Sequence, residues 1–248
     1  MSDHVTIRLR FHKTGAIRYI GHLDVMRFFQ KCLRRAQIPV AYTGGFSPHQ
    51  ILTFAAPLSV GHESYGEYVD VELETLTANT AELIQRLNEA SVPEIKIVSA
   101  KLLPKDVGNA MASVAAASYQ VQFQEDRTPM LFQTEPAKLQ EAVDVFLSKE
   151  SIPYVKEGKK GKRDVDLRPG IFSMSWDAEA QSLFLMVDAS SKDTVKPIQV
   201  IEAFLAERGE FLQERALRIT RLDTFTETTA SEGSERVFVS LDEVGKNF

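Results

Sequence analysis

The histidines His22, His49 and His62 are the side chains in this sequence best suited to acid–base chemistry. All five histidines of the chain lie within its first 62 residues. A neutral imidazole near pH 7 can accept a proton from an RNA 2′-hydroxyl, so His22 or His49 is a candidate general base of a metal-independent endoribonuclease. His22 and Asp24 are two positions apart at a predicted helix start, where Asp24 is suited to capping the first turn. The sequence contains no evident nucleophile–base pair and no metal-ligand spacing.

Cationic side chains near the start of the chain favour anion binding over catalysis. Arg27, Lys31, Arg34 and Arg35 are spaced i, i+4, i+7 and i+8, which places them on one face of a helix. Four cations without an interleaved acid repel one another, and a phosphate backbone would relieve that repulsion. The alternative is a solvated face whose cations suit the helix C-terminal dipole.

A second cationic stretch, KEGKKGKRDVDLRP, occupies residues 156–169. Its lysines suit diffuse phosphate contacts, and its glycines indicate a mobile run; a charged, disordered loop is the alternative. The candidate phosphate-binding residues of this stretch are Lys159, Lys160, Lys162, Arg163 and Arg168. Arg168 has carboxylates nearby in sequence and could equally be structural.

The stretch TGGFSPHQ, residues 43–50, lies between these regions. Paired glycines can bring backbone N–H groups close to a phosphate, and an exposed Phe46 could stack on a base beside His49. The lysine of a P-loop and the G-x-G-x-x-G spacing are both missing. A turn that leads into a strand is the alternative interpretation.

Two series of elements in the same order must position these residues. The first comprises a strand at 5–11, a helix at 23–37, strands at 51–60 and 66–74, a helix at 77–90 capped by Thr77, and a strand at 94–103. The second comprises a strand at 117–124, a helix at 135–149, strands at 171–176 and 182–189, a helix at 197–208, and a strand at 216–225. The first helix carries an apolar stripe of Leu23, Met26, Phe29, Leu33 and Ala36.

The repeated βαββαβ order predicts an α+β fold of two tandem ferredoxin-like domains. We place the first domain at 1–110, the second at 111–225, and a flexible C-terminal tail at 226–248, whose first residues are polar and low in apolar side chains.

Composition restricts the function classes further. The net charge is −5, yet residues 1–62 carry +6 and residues 155–170 carry +3, so the remaining chain carries about −14. The single cysteine, Cys32, excludes an intrachain disulfide, a zinc site of paired cysteines and a self-contained iron–sulfur cluster. The start of the chain alternates like a strand rather than a signal peptide, and no apolar run reaches membrane-spanning length. We therefore expect a cytoplasmic protein without a membrane partner.

Four motifs in order resemble the radical-SAM-linked protein family. They are RYIGHLD at 18–24, GFSPH at 45–49, PLSVG at 57–61 and EYVD at 67–70, and KRDVDLRPGIFSM at 162–174 resembles that family's later basic segment. The resemblance covers about residues 5–225. Members are fused to, or encoded beside, radical-SAM proteins, often near RNA-processing genes.

The resemblance implies an RNA-binding accessory module of a separate radical-SAM enzyme. A radical-SAM enzyme needs three cysteines for its cluster, so the [4Fe–4S] cluster and S-adenosylmethionine are expected on the partner, and no cofactor is expected on this chain. The predicted tandem ferredoxin-like fold also resembles that of RAMP-type RNA-binding proteins, at the level of fold alone. A protein-only scaffold that docks the radical enzyme is a further alternative, with no catalysis of its own.

Overall fold

A computed structural model describes residues 4–158, 161–228 and 236–248 of the chain. The chain has a mixed α+β fold and forms two compact units. Unit 1 comprises residues 1–115 and 221–248, and unit 2 comprises residues 116–220. No helix in the described ranges is long and apolar enough to cross a membrane.

Unit 1 begins with the first predicted series of elements and ends with the last strands of the chain. Its elements are β1 (Val5–Lys13), α1 (His22–Arg35), β2 (Leu52–Phe54), β3 (Glu63–Leu73), α2 (Thr80–Glu89), β4 (Ile95–Leu102) and the short α3 (Ala110–Ser113). Strand β10 (Leu217–Thr228) begins in unit 2 and ends in unit 1, where β11 (Val237–Ser240) pairs with it. The antiparallel order is β4-β1-β3-β2, and β3 also neighbours β10.

Alternation along β1 and β3 gives the unit 1 sheet two distinct faces. Ile7, Leu9 and Phe11 are buried against α1 and α2, as are Val69 and Val71 of β3. The intervening residues of both strands project from the opposite face, so the sheet separates the helices from a second, more polar surface.

Helix α1 differs from its predicted apolar stripe in its first turn. The buried residues of α1 include Val25, Phe29 and Leu33, so the apolar stripe begins at Val25, two residues after Leu23. Leu23 itself is 64% exposed. The helix ends at Arg35, and Gln37 then adopts the left-handed region (φ 53°) just before Pro39. The N-cap of α2 is Asn79 rather than the predicted Thr77, because the side chain of Asn79 accepts a hydrogen bond from the Glu82 N–H at 3.0 Å.

The segment after β2 is not the long strand that the sequence predicts over 51–60. Strand β2 ends at Phe54, and the carbonyls of Ala56 and Pro57 accept instead from the Arg221 guanidinium, at 3.1 and 3.4 Å. Side-chain donors thus replace strand pairing for this stretch of backbone.

Unit 2 carries the second series, with an additional hairpin. Its elements are β5 (Ala116–Phe123), α4 (Met130–Thr134), α5 (Leu139–Leu147), β6 (Pro153–Gly158), β7 (Gly161–Asp166), β8 (Ile171–Asp177), β9 (Ser182–Asp188), α6 (Pro197–Ala206) and the first residues of β10. The strand order is β10-β5-β9-β8, while β6 and β7 form a separate antiparallel pair. Pro197 occupies the first turn of α6, as predicted.

The described C-terminal residues include a paired strand within the range 226–248, where the sequence predicts a flexible tail. Residues 226–228 belong to β10, residues 229–235 lie outside the described ranges, and Val237–Ser240 forms β11. Beyond β11, Lys246 bridges to Leu102 and Phe248 packs against the unit 1 core. Val237, Phe238 and Val239 are β-branched or aromatic residues, which favour a strand at this position.

Candidate nucleic-acid interface

The cationic residues of α1 form an exposed face on the side of the helix away from the core. Arg27, Lys31, Arg34 and Arg35 are all exposed. Two of them have local partners. Arg27 pairs with Asp24 at 3.0 Å, and Arg35 donates to the carbonyl of Ala90 at the end of α2, at 2.6 and 3.2 Å.

Lys31 and Arg34 differ from their neighbours, because within the described ranges neither makes an ion pair or a side-chain hydrogen bond. They lie three positions apart, so both point from the same face of α1. The sequence predicted four equivalent phosphate ligands; the contacts divide them into two free cations, one neutralised arginine and one that fastens α1 to α2.

The glycine-rich turn presents an aromatic ring to solvent. Phe46 is fully exposed, and Gly45 adopts a left-handed conformation (φ 99°) that favours glycine. The base of the turn is closed by Thr43, whose backbone N–H donates to the His49 carbonyl at 2.9 Å and whose hydroxyl lies 3.1 Å from the His49 ring nitrogen. An exposed phenylalanine on a closed turn is a platform on which a base can stack.

The histidines have separate surroundings. His22 is the first residue of α1 and is half-buried, with its ring edge-on to Phe54 at 5.3 Å. His49 is exposed in the turn and bonded to Thr43. Across the described ranges, no group of three or more His, Cys, Asp or Glu side chains is arranged to hold a metal ion.

A buried polar cluster, which the sequence did not predict, lies beside His22. Lys13 is 2% exposed and donates to the Arg18 carbonyl at 3.2 Å, while Arg221 pairs with the buried Glu67 at 2.8 Å. Burial lowers the pKa of the Lys13 amine, and the Glu67 carboxylate partly opposes that effect. The adjoining cavity of about 10 Å³ has room for about one water molecule, which is too little for a substrate.

The motif residues EYVD form buried contacts of the same kind. Glu67 pairs with Arg221, the Tyr68 hydroxyl donates to Asp223 at 2.5 Å, and Asp70 pairs with Arg8 at 2.7 Å. Burial, followed by the Asp223 carboxylate, raises the pKa of Tyr68. These residues hold the unit 1 sheet together, and no sequence signal in the local spacing identifies their partners.

In unit 2 the described residues of the cationic stretch include two paired strands, whereas the sequence predicted a mobile run. Arg163 of β7 faces Lys156 of β6, and Lys156 donates to the Thr194 carbonyl at 3.1 Å. Burial and the positive charges of Arg163 and Lys196 lower the pKa of Lys156. Because these positive charges lie close together, the electrostatic potential around them is positive and favours binding of an anion.

The remaining candidates of that stretch have different positions. Lys162 pairs with Glu157 at 2.6 Å, and Lys159 and Lys160 lie outside the described residues. Arg168 donates to the carbonyls of Leu147 and Ile171, at 2.9 and 3.1 Å, so its guanidinium fastens the end of α5 to β8.

Residues 6–197 match the model of a family described as an uncharacterized protein conserved in bacteria, DUF2344. The chain belongs to this family. A comparison with curated proteins gives no match.

The part that matches DUF2344 contains every cationic candidate on α1 and on the β6–β7 hairpin, together with the Phe46 turn. Arg221, the partner of Glu67, lies beyond it. The candidate residues of each unit therefore all lie in the DUF2344 part of the chain, whereas the buried cluster also depends on β10.

Proposed function

We propose that this DUF2344 protein is an RNA-binding accessory module that acts with a separate radical-SAM enzyme in RNA modification or processing. The exposed pair Lys31 and Arg34 on α1 carries the proposal. Two cations that make no ion pair or side-chain hydrogen bond with the described residues, on a chain of net charge −5, are suited to a polyanion, because phosphate contacts release condensed counterions.

Two further features support RNA as the polyanion. Phe46 offers a stacking surface that needs an unpaired base, and single-stranded RNA supplies such bases. In unit 2, Lys156 and Arg163 form a cationic pair across the hairpin, which is suited to a phosphate. In this proposal Arg27 supports the phosphate contacts at the edge of the α1 face, while Arg35 and Arg168 have structural roles.

The strand orders support a tandem duplication. Unit 1 has the order β4-β1-β3-β2, and unit 2 has the order β10-β5-β9-β8, which is the same pattern if β8 takes the place of β2. We infer that each unit is a ferredoxin-like βαββαβ fold, with the β6–β7 hairpin inserted in the second. RAMP-type RNA-binding proteins have this architecture, which is an analogy of fold alone.

The radical-SAM partner follows from the motif resemblance and from cysteine chemistry. Cys32 is the single cysteine of the chain, and it is buried in the unit 1 core. A [4Fe–4S] cluster needs three or four thiolates, so the cluster and S-adenosylmethionine belong to the partner in this proposal. This chain contributes RNA binding and positioning.

The decisive experiment is ultraviolet cross-linking of the tagged protein in its native cells, followed by sequencing of the attached RNA. We expect reproducible enrichment of one RNA class, lost in the Lys31→Glu/Arg34→Glu variant. The matched control is Lys138→Glu/Arg215→Glu, which changes two exposed cations elsewhere by the same net charge. In vitro, losing two phosphate contacts should reduce the slope of log K against log salt concentration by about 1.4 for a single strand.

Equal loss in both variants would show that net charge alone drives binding and would remove α1 from the interface. No cross-linked RNA above an untagged control, combined with stable association with a radical-SAM protein, would replace this proposal with the protein-only scaffold. Cleavage of bound RNA that His22→Ala or His49→Ala abolishes would instead select the endoribonuclease.

A further inference from the structure

Unit 1 contains a cavity of about 830 Å³ on the polar face of its sheet. Its floor is formed by Thr6 of β1, Thr53 beside β3, and Asp70 and Glu72 of β3. Because side chains alternate along a strand, these residues point away from α1 and α2. The volume lies within the range of about 300 to 1,000 Å³ that is typical of small-molecule sites.

The segment between β4 and α3 forms an apolar wall of this cavity. Leu103, Pro104 and Val107 come from this segment, and Leu102, Val5 and Ile51 also line the cavity. Asn109, which caps α3 by accepting from the Ala112 N–H at 3.0 Å, adds an amide at the rim. The cavity is therefore apolar along its sides and hydrogen-bonding along its floor.

The charges of the floor are largely compensated within the protein. Asp70 accepts two hydrogen bonds from Arg8, at 2.7 and 2.9 Å, and one from the Ala110 N–H at 2.6 Å. His4 lies 3.7 Å from Glu72, whose side chain is 38% exposed. Glu72 therefore remains available as an acceptor for a ligand.

The Arg8 side chain is a neighbour of the cavity floor but does not itself line the cavity. Arg8 is fully buried, and its Nη1 has no hydrogen-bond partner among the described residues. Its Nη2 donates to the Gly108 carbonyl at 3.4 Å. The residues on either side of Gly108, Val107 and Asn109, line the cavity. Arg8 therefore supports the floor through Asp70, and the ligand contacts come from the residues that line the cavity.

We propose that this cavity binds a planar nitrogen heterocycle of the nucleobase class. Its faces would contact the apolar wall, and its edge N–H groups would donate to Glu72 and the threonine hydroxyls. His4, Lys105 and Lys246 also line the cavity, so a phosphate attached to the heterocycle is compatible with the site, whereas the number of polar groups disfavours an aliphatic ligand. The heterocycle is either a free nucleoside or a base of an RNA strand, and the binding chemistry is the same for both.

The test is binding of adenosine, guanosine, cytidine and uridine, one at a time, to the full chain by saturation-transfer NMR and calorimetry. We expect at least one nucleoside to bind and Glu72→Gln to weaken it about tenfold, since a lost hydrogen bond to a charged acceptor typically costs that much. The control is Glu74→Gln, an exposed carboxylate near the same strand end that does not line the cavity.

A second pair of variants keeps the proposal testable if Glu72→Gln is poorly folded. Val107→Trp fills the cavity and should abolish binding, while Val92→Trp, at a site 36% exposed and outside the cavity, should not. If free nucleosides do not bind, an oligoribonucleotide is compared with its abasic counterpart. Base-dependent affinity that Val107→Trp removes assigns the cavity to a base of RNA.

No binding of any nucleoside, together with equal affinity for the intact and abasic strands, overturns the proposal. The nucleoside arm does not depend on the proposed RNA-binding function. Retained nucleoside binding in Lys31→Glu/Arg34→Glu would support the cavity even where the α1 interface had failed.

Discussion

The buried pair of Arg8 and Asp70 allows a quantitative test of what holds the unit 1 sheet together. The two side chains are 0% and 4% exposed and form two hydrogen bonds, at 2.7 and 2.9 Å. Asp70→Asn keeps the shape of the side chain but leaves the guanidinium without a counter-charge in the protein interior. Removing one partner of a buried pair typically costs about 3 to 5 kcal/mol.

That cost is a large fraction of a typical free energy of unfolding, which is about 5 to 15 kcal/mol. We therefore expect urea denaturation of Asp70→Asn, followed by circular dichroism, to show a lower midpoint and loss of the unit 1 transition first. The matched control is Asp24→Asn, which removes the 59% exposed partner of Arg27. Exposed pairs contribute about 0 to 1 kcal/mol, so the control midpoint should barely move.

The double variant Arg8→Met/Asp70→Leu separates lost charge pairing from lost packing. Apolar replacement of both partners of a buried pair is often neutral, so the double variant should recover most of the stability that Asp70→Asn loses. Some loss should remain, because the Ala110 N–H no longer has its acceptor. A cost below about 1 kcal/mol for Asp70→Asn would refute the reasoning, since it would mean that water reaches the guanidinium.

Three further predictions test other contacts. Gly66→Ala should destabilise the protein by about 1 to 3 kcal/mol in thermal or urea denaturation, because an added Cβ would lie 2.4 Å from the Asp223 Cα; unchanged stability would contradict this close approach. Cys32 should not react with a thiol reagent until the protein unfolds, because burial raises its pKa and covers the sulfur; rapid labelling of the native chain would refute this. Burial, followed by the Glu202 carboxylate, raises the pKa of Tyr154 to about 12. The contribution of Tyr154 to the stability of the folded protein is therefore complete below its unfolded pKa of about 10 and is lost as the pH rises towards about 12. Absorbance titration at alkaline pH should show one late-ionising tyrosine fewer in Tyr154→Phe.

Local periodicity predicted most of the elements but not their partners. The alternation of VTIRLRF predicts β1, and the spacing of apolar residues predicts α1 to within a few residues. The contact between Arg35 and Ala90 joins residues 55 positions apart, and that between Arg221 and Glu67 joins residues 154 positions apart. No local pattern encodes such pairings, so the sequence could not separate structural arginines from free ones.

The β6–β7 hairpin is a regular element that the composition did not predict. Glycines and lysines at 156–162 are typical of a solvated loop, yet the strands pair in register from Pro153 with Asp166 to Gly158 with Gly161. Tyr154 fixes the hairpin on α6 through the Glu202 carboxylate. One anchoring aromatic residue thus outweighs a composition that favours disorder.

The two proposed sites of unit 1 lie on opposite sides of its sheet, and this separation makes them independent in experiments. Phe29 of α1 packs against Phe11 of β1 on one face of the sheet. Thr6 and Asp70, which line the cavity, project from the opposite face. Sites without shared partners usually contribute additively to free energy. Variants of Lys31 and Arg34 should therefore change the salt dependence of RNA binding and leave nucleoside affinity unaltered, whereas Val107→Trp should do the reverse. Coupled loss in both variants would mean that one ligand spans the edge of the sheet and contacts both faces at once.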